Sequence, residues 1–214
     1  MFTSNAVWIW LGPRDAYTPV TVAFRRSFQL PSQPRVASLR ITADSRYELF
    51  VNGHWFGGGP ARGWREPWSV DAFDLSGVLV PGTNTLAVRV HHFGTSTFQY
   101  LHAPPGLIAE LEVDDTSLAT DASWSASVET GFAGNVPRID CQQGWEEQFD
   151  VRLALVDQDG RDWRENEFDD RNWTSAEVVT PSHETFEPRN VPMLTHCPLR
   201  PTISGSLQAV RTAD

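Results

Sequence analysis

The chain has 214 residues with 17 basic and 27 acidic side chains, which gives a formal net charge of −10. A charge this negative argues against a nucleic-acid or anionic-membrane partner, because both favour a basic protein face. All the basic residues are arginine, which excludes a Schiff-base lysine and a phosphate-loop lysine, and the length suits one large β-sandwich with or without an appendage.

The N-terminal sequence has neither a basic region nor a long apolar stretch of the kind that directs secretion. No apolar run reaches the length of a membrane span. We therefore expect a cytoplasmic protein without a membrane partner. Free thiols are the expected state of Cys141 and Cys197 in that compartment, although the two could pair.

The first strands are predicted from apolar residues that recur with a period of two. AVWIWLG places Trp8 and Trp10 on one face, and TVAFRRSFQLP does the same for Val22 and Phe24 before Pro31 ends the strand. A third strand from Val36 to Ala43 is expected to point Val36, Leu39 and Ile41 inward and to leave Arg40 and Thr42 in solvent.

The next segment predicts a hairpin. RYELFV alternates with Tyr47, Leu49 and Val51 on one face and Glu48 and Phe50 on the other. Asn52-Gly53 follows, and both residue types accept positive φ at low cost, so a tight turn belongs there. After a turn at Pro81-Gly82, another alternating run has Leu86, Val88 and Val90 inside and Arg89 outside.

Two long loops and a less regular second half complete the chain. Residues 57–68 form a Gly/Pro-rich loop and residues 91–106 a loop rich in His and aromatic side chains. LIAELEV, SLATDASWSASV (one strand or a pair) and FDVRLALV are predicted strands, and VDQDGRDW is a polar turn. Short strands between such turns predict an all-β, mostly antiparallel sandwich of residues 1–187 with few or no helices. Residues 188–214 are expected to form a Pro-rich extended exit segment toward a further domain.

Seven segments follow one another along the chain. They are WIW at 8–10, FRRSF at 24–28, the stretch from Arg40 to Gly94, TDASW at 120–124, GWEEQFDVR at 144–152, FDDRNW at 168–173 and PRNVPML at 188–194. In this order they resemble the jelly-roll, galactose-binding-like N-terminal module of bacterial α-L-rhamnosidases. The resemblance implies a jelly-roll fold and a glycoside hydrolase setting. The (α/α)₆ barrel that carries the catalytic carboxylates of that family has no counterpart in this sequence, so the hydrolase activity is not carried over.

Carboxylates that could act as a catalytic pair are not apparent in the spacing. Glu146-Glu147 and Asp169-Asp170 are adjacent doublets, and neighbours on a strand point to opposite faces. Asp150 and Arg152 are expected to form an ion pair. A catalytic pair assembled across strands stays open as the less favoured reading, and we expect this chain alone not to be an enzyme.

Metal sites are weakly indicated. His54, His91, His92 and His102 lack the spacing of a zinc site, and ordinary loop histidines are the favoured interpretation. Asp157, Asp159 and Asp162 surround a glycine turn and could hold a structural calcium ion, although the EF-hand spacing is absent and a solvated turn is favoured. No other cofactor is indicated.

The long loops remain as a recognition surface. Flat aromatic rings and neutral hydrogen-bonding groups suit the stacking and binding of a sugar ring. We therefore predict a weak site for a neutral sugar such as L-rhamnose or galactose, with the catalytic glycosidase domain as a partner. The alternative is a purely structural module whose aromatic loops contact that domain or a partner chain. The candidate binding residues are Trp64, Trp68, His91, His92, Phe98, Gln99 and Tyr100.

Overall fold

The computed structural model describes residues 2–12 and 16–194. Among these residues thirteen strands form two sheets, and the single helical turn is a short 3₁₀ segment at Val151–Leu153. The strands are β1 (Ile9–Trp10), β2 (Val20–Leu30), β3 (Ala37–Asp44), β4 (Arg46–Val51), β5 (His54–Gly59), β6 (Trp68–Asp74), β7 (Gly82–His92), β8 (Gly106–Val113), β9 (Thr116–Ala119), β10 (Ser125–Val128), β11 (Thr174–Ser175), β12 (Glu177–Val178) and β13 (Phe186–Pro188).

The two sheets pack face to face as a β-sandwich, as predicted. The first has the order β12-β1-β8-β3-β6-β13 with β9 beside β8, and the second has the order β11-β10-β2-β7-β4-β5. The longest pairing joins β2 to β7, from Val20 opposite His92 to Leu30 opposite Gly82. All pairings are antiparallel except that of β13 with β6. In the part of the chain that the structure describes, no helix is long and apolar enough to cross a membrane.

The core between the sheets consists largely of the alternating apolar side chains that the sequence predicts to point inward. The predicted inward residues that lie in it are Trp10, Val22, Phe24, Leu39, Ile41, Tyr47, Leu49, Val51, Leu86, Val88 and Val90. Two inward or outward predictions are wrong. Val36 precedes β3 and is 60% exposed, whereas Thr42 is fully buried because its hydroxyl donates to the carbonyl of Ser69 at 2.8 Å.

The hairpin turn at Asn52-Gly53 is confirmed by positive φ angles of 51° and 83°. The Asn52 side chain also forms hydrogen bonds to the neighbouring strand β7. Its amide nitrogen donates to Asn84 Oδ1 at 2.9 Å, and its oxygen accepts from the backbone N–H of Thr85 at 2.9 Å. These bonds fix the register of β4 against β7.

The predicted loops are shorter than expected. β5 extends to Gly59 and β6 begins at Trp68, so only residues 60–67 are irregular there. His91 and His92 are the last residues of β7. SLATDASWSASV forms two strands, β9 in the first sheet and β10 in the second. The predicted strand FDVRLALV is instead the 3₁₀ turn, where Asp150 accepts from the backbone N–H of Arg152.

A small second core lies on the outer face of the second sheet. Ala23, Phe50 and Ala87 point away from the main core and are covered by Trp163 and Phe168 of the irregular segment 129–173. Arg25 is buried beneath this cover and donates to the carbonyl of Glu165 at 2.9 Å and to that of Trp163. The outward face of β2 therefore holds the covering segment through backbone carbonyls.

The start of the exit segment is attached to the sandwich. Pro188 pairs with Val70 in the parallel β13–β6 contact, and Arg189 Nε lies 2.5 Å from Oδ1 of the buried Asp71. A further domain after this segment stays a prediction. Cys141 is exposed. Cys197 lies outside the described residues, so the expectation of free thiols and the alternative of a Cys141–Cys197 pair both stay predictions.

Candidate functional site

One end of the sandwich contains a buried carboxylate surrounded by aromatic side chains. Asp44, the last residue of β3, has no exposed surface. The hydroxyl of Tyr100 donates to its Oδ1 at 2.5 Å, and Nε2 of His183 lies 3.1 Å from its Oδ2. Nδ1 of His92 lies 3.4 Å from Oδ1, within ion-pair range but without hydrogen-bond geometry. The four side chains come from three segments, at residues 44, 92–100 and 183, which meet only in the folded chain.

His183 links this carboxylate to the 60–67 loop. Its ring stacks on Trp68 with centroids 3.8 Å apart and planes 4° from parallel. Its Nδ1 lies 3.1 Å from the carbonyl oxygen of Arg65, while its Nε2 faces Asp44. The ring therefore joins Asp44 to the backbone of the 60–67 loop through one nitrogen on each side.

Tyr100 holds the 93–105 loop at the same place. Burial and the charge of Asp44 raise the pKa of Tyr100 above its ordinary value, so the phenol stays protonated and donates. Its oxygen also accepts from the backbone N–H of Ala103 at 3.1 Å, and its ring meets Phe93 edge to face. The loop is thereby fixed from within.

The loop that follows β7 also contacts the segment after β1. His92 and His102 each place Nε2 within hydrogen-bond distance of the carbonyl oxygen of Ala16, at 2.6 and 2.7 Å. His91 points to the other side, where Nδ1 lies 3.1 Å from the hydroxyl of Thr21. Burial, with the charges of Arg46 and His92, lowers the pKa of His91 to about 4, so this ring is neutral at pH 7.

The seven predicted binding residues fall into two groups. Trp68, His92 and Tyr100 are buried in the network around Asp44, with Trp68 only 6% exposed, and His91 is half-buried. Trp64 and Phe98 are 77% and 76% exposed, and Gln99 is exposed beside Phe98. We call Trp64, Phe98 and Gln99 the exposed rim. The buried group supports the loops from which the rim projects.

Two residues of this end were missed in the sequence. Asp44 is the last residue of an alternating strand, and the neighbouring sequence does not indicate whether its carboxylate is buried or exposed to solvent. His183 lies 139 positions from Asp44 and follows no motif. The aromatic composition of the loops indicated this end of the sandwich, but it did not indicate that Asp44 lies buried at its centre.

The predicted calcium residues are engaged in other interactions. Asp159 pairs with Arg161 and Asp162 with Arg164, each at 2.6 Å, and Asp157 accepts from the backbone N–H groups of Asp159 and Arg161. Within residues 2–12 and 16–194 no group of three His, Cys, Asp or Glu side chains is placed to hold a metal ion. In this arrangement arginine side chains or backbone N–H groups engage all three carboxylates, and calcium binding stays a prediction.

Three of the four carboxylates in the acidic doublets likewise form ion pairs. Glu147 pairs with Arg46 at 3.0 Å, Asp169 with Arg171 at 2.6 Å and Asp170 with Arg25 at 3.4 Å. The predicted pair of Asp150 and Arg152 is confirmed at 2.6 Å. The carboxylates named in the sequence thus serve to fix loops.

Comparison with known proteins finds α-L-rhamnosidases among the similar proteins. A family model described as the α-L-rhamnosidase N-terminal domain matches residues 32–196. The chain is 27% identical over 183 residues to an α-L-rhamnosidase of Streptomyces avermitilis, covering 80% of this chain and 14% of that protein. It superposes on a family 78 rhamnosidase of Bacillus sp. GL1 with a TM-score of 0.81 and 41% identity, covering 90% of this chain and 20% of the other.

A solved structure of the S. avermitilis α-L-rhamnosidase in complex with L-rhamnose shares the fold. Its TM-score is 0.56 at 24% identity, over 84% of this chain and 15% of the other. The chain therefore spans a fifth or less of the length of these relatives.

Proposed function

The chain belongs to the family of α-L-rhamnosidase N-terminal domains, which is a non-catalytic domain of these glycoside hydrolases, and we propose that it is a carbohydrate-binding module for a neutral sugar. The binding surface in this proposal is the exposed rim, formed by Trp64, Phe98 and Gln99. The module would bring a rhamnoside-containing substrate to the catalytic domain of an α-L-rhamnosidase.

The observation that carries the proposal is that the two rim rings are exposed on loops that are internally fixed. Phe98 lies between Thr97 and Tyr100, whose backbones bond each other at 2.9 Å. Trp64 lies next to Arg65, whose carbonyl contacts His183. A flat ring on a loop whose backbone is held in place needs little further ordering of the loop on binding, and this favours stacking against the apolar face of a sugar.

The charge of the chain supports a neutral ligand. The net charge of −10 repels anions and leaves uncharged sugars unaffected. Since a structure of the S. avermitilis relative contains L-rhamnose, L-rhamnose is the first ligand to test, and galactose is the second.

Calorimetric titration with L-rhamnose tests the proposal. We expect a saturable isotherm in the millimolar range, which Trp64→Ala and Phe98→Ala each weaken at least about tenfold. Val36→Ala is the matched control, because Val36 is also an exposed apolar residue but precedes β3 at the end opposite Asp44, about 25 Å away along the strand. Full binding by both rim variants would show that the rim is not the site.

Contact with the catalytic domain is the second candidate function. Exposed apolar side chains near the same loops favour it, namely Phe98, Leu101 and Ile139. The segments that carry them are joined, because Arg138 donates to the carbonyl of Ser96 at 2.7 Å and the N–H of Phe98 to that of Gln142 at 3.3 Å. Binding to a separately expressed catalytic domain that Ile139→Ser abolishes, without any response to sugar, would favour this function.

A further inference from the structure

A cavity lies on the outer face of the second sheet, beneath the covering segment 129–173. Its volume is about 280 Å³, close to the lower limit of roughly 300 Å³ for small-molecule pockets. Phe149 and Val151 line it and are 44% and 76% exposed, so one side opens to solvent. None of its lining residues belongs to the exposed rim or to the network around Asp44.

The floor of the cavity is a partly buried arginine between aromatic rings. Arg89 of β7 makes two bonds of 2.6 Å to the carboxylate of Glu129, which is itself buried, and one of 2.8 Å to Glu48. Its guanidinium carbon lies 5.3 Å from the ring centre of Phe132 and 6.0 Å from that of Trp163. Hydrogen bonds along the edges of the guanidinium and aromatic rings against its faces therefore hold it in position.

A second arginine–carboxylate pair forms the wall. Arg164 donates through Nε and Nη2 to the two carboxylate oxygens of Asp162, both at 2.6 Å. Each side chain is about one-third exposed, at 34% and 31%. A guanidinium has five N–H groups, and a carboxylate oxygen has two lone pairs. Asp162 Oδ1 accepts from both Nε and the backbone N–H of Arg164, whereas Oδ2 accepts from Nη2 and keeps one lone pair. The pair therefore keeps donors and an acceptor that can reach a ligand.

The charges that line the cavity cancel. Arg89 faces Glu129, and Arg164 faces Asp162, so the two cations of the lining meet two anions. A charged ligand would have to break a bidentate pair, which is costly in a partly buried site. A neutral ligand with several hydroxyl groups can instead bond to the pairs while they stay intact.

The aromatic part of the lining matches the other side of such a ligand. Phe132 and Phe149 lie 4.8 Å apart with their planes inclined by 59°, and Trp163 is buried behind them. Rings at the opening and paired charges at the floor offer both the apolar contact and the bidentate hydrogen bonds that a sugar ring uses.

We propose that this cavity is a second binding site for a neutral monosaccharide unit, separate from the exposed rim. The chain then holds a sugar at two places, one at the loop end of the sandwich and one on the outer face of its second sheet. A polysaccharide that occupies both sites through separate units gains apparent affinity without any new contact.

The test is a two-dimensional ¹H–¹⁵N NMR titration of the full chain with methyl α-L-rhamnopyranoside, repeated with D-galactose. We expect two groups of saturating shift changes, one around residues 62–66 and 96–102 and one around residues 129–134, 147–155 and 162–164. Phe149→Ala removes the ring at the opening, and Val151→Trp places a large ring there at a position exposed enough to tolerate it. Each is expected to weaken the second group of shifts at least tenfold and to leave the first unchanged.

The matched control is Phe98→Ala, which is expected to remove the first group and leave the second. Shift changes confined to the loop end, or a second group that Val151→Trp leaves intact, would overturn the cavity site while the rim proposal stands. Shifts that Phe149→Ala and Val151→Trp abolish but Phe98→Ala and Trp64→Ala do not affect would support the cavity and contradict the rim proposal.

Discussion

Replacing Tyr100 with phenylalanine tests whether the buried carboxylate organises the loop end. The change keeps the ring, which meets Phe93 edge to face, and removes only the hydroxyl. Asp44 then loses a donor at 2.5 Å, which costs about 2 kcal/mol for a bond to a charged group. The backbone N–H of Ala103 loses its acceptor at 3.1 Å, which adds about 1 kcal/mol.

The expected loss is therefore about 3 kcal/mol in the free energy of unfolding. With a urea m-value of about 2–3 kcal/mol/M, the midpoint of unfolding falls by about 1 M. Phe98→Ala, two positions away and exposed, is the control and should change stability by less than about 0.5 kcal/mol. A shift for Tyr100→Phe no larger than that of the control would refute the role given to the Asp44 network.

Three further predictions concern the rest of the sandwich. Arg25→Met removes the donor to the carbonyls of the covering segment and should lower stability by about 3 kcal/mol and speed amide exchange in residues 161–170; unchanged exchange there would contradict its anchoring role. Gly59→Ala places a Cβ 1.9 Å from Asp71 Oδ2 and should cost more than about 2 kcal/mol, whereas Gly63→Ala, with open space around it, should be nearly neutral. Burial lowers the pKa of His91 from 6.5 to about 4, so as pH falls the unfolded chain binds a proton before the folded one. The free energy of unfolding therefore falls between these two pH values, by up to about 3 kcal/mol, and His91→Gln should remove this part of its pH dependence.

Much of the sandwich could be predicted because its strands alternate cleanly. Leu39 and Ile41, or Val88 and Val90, share a face by their spacing alone, and both pairs lie in the core. The turn at Asn52-Gly53 was predictable for an equally local reason, since few residue pairs accept positive φ twice. These features depend on neighbours in the sequence.

The errors arose where a distant partner decides the outcome. Thr42 reads as a wet position but is buried, because the carbonyl of Ser69 accepts its hydroxyl. FDVRLALV has the composition of a strand, yet Asp150 caps a 3₁₀ turn there and the segment covers the outer face of the second sheet. No periodicity within either segment contains that information.

The site shows the same division. The aromatic loops were found from their composition, but composition does not say which rings are exposed. Trp64 and Trp68 lie four positions apart, and the first is in solvent while the second stacks on His183. For the same reason a loss of sugar binding in Tyr100→Ala would not identify Tyr100 as a contact to the sugar, because this change removes a donor to Asp44 and disturbs the fold.

The central claim, that the exposed rim binds a neutral sugar, is tested most directly by intrinsic tryptophan fluorescence during titration with L-rhamnose up to about 20 mM, a range suited to millimolar affinity. The account predicts a saturable change in emission that Trp64→Phe reduces, because Trp64 is 77% exposed at the rim whereas Trp8, Trp10 and Trp68 are buried. A change that remains in the Trp64→Phe variant is assigned to Trp163 in the cavity. The account would be contradicted if the emission did not respond to L-rhamnose or galactose and if neither sugar changed the free energy of unfolding of the protein.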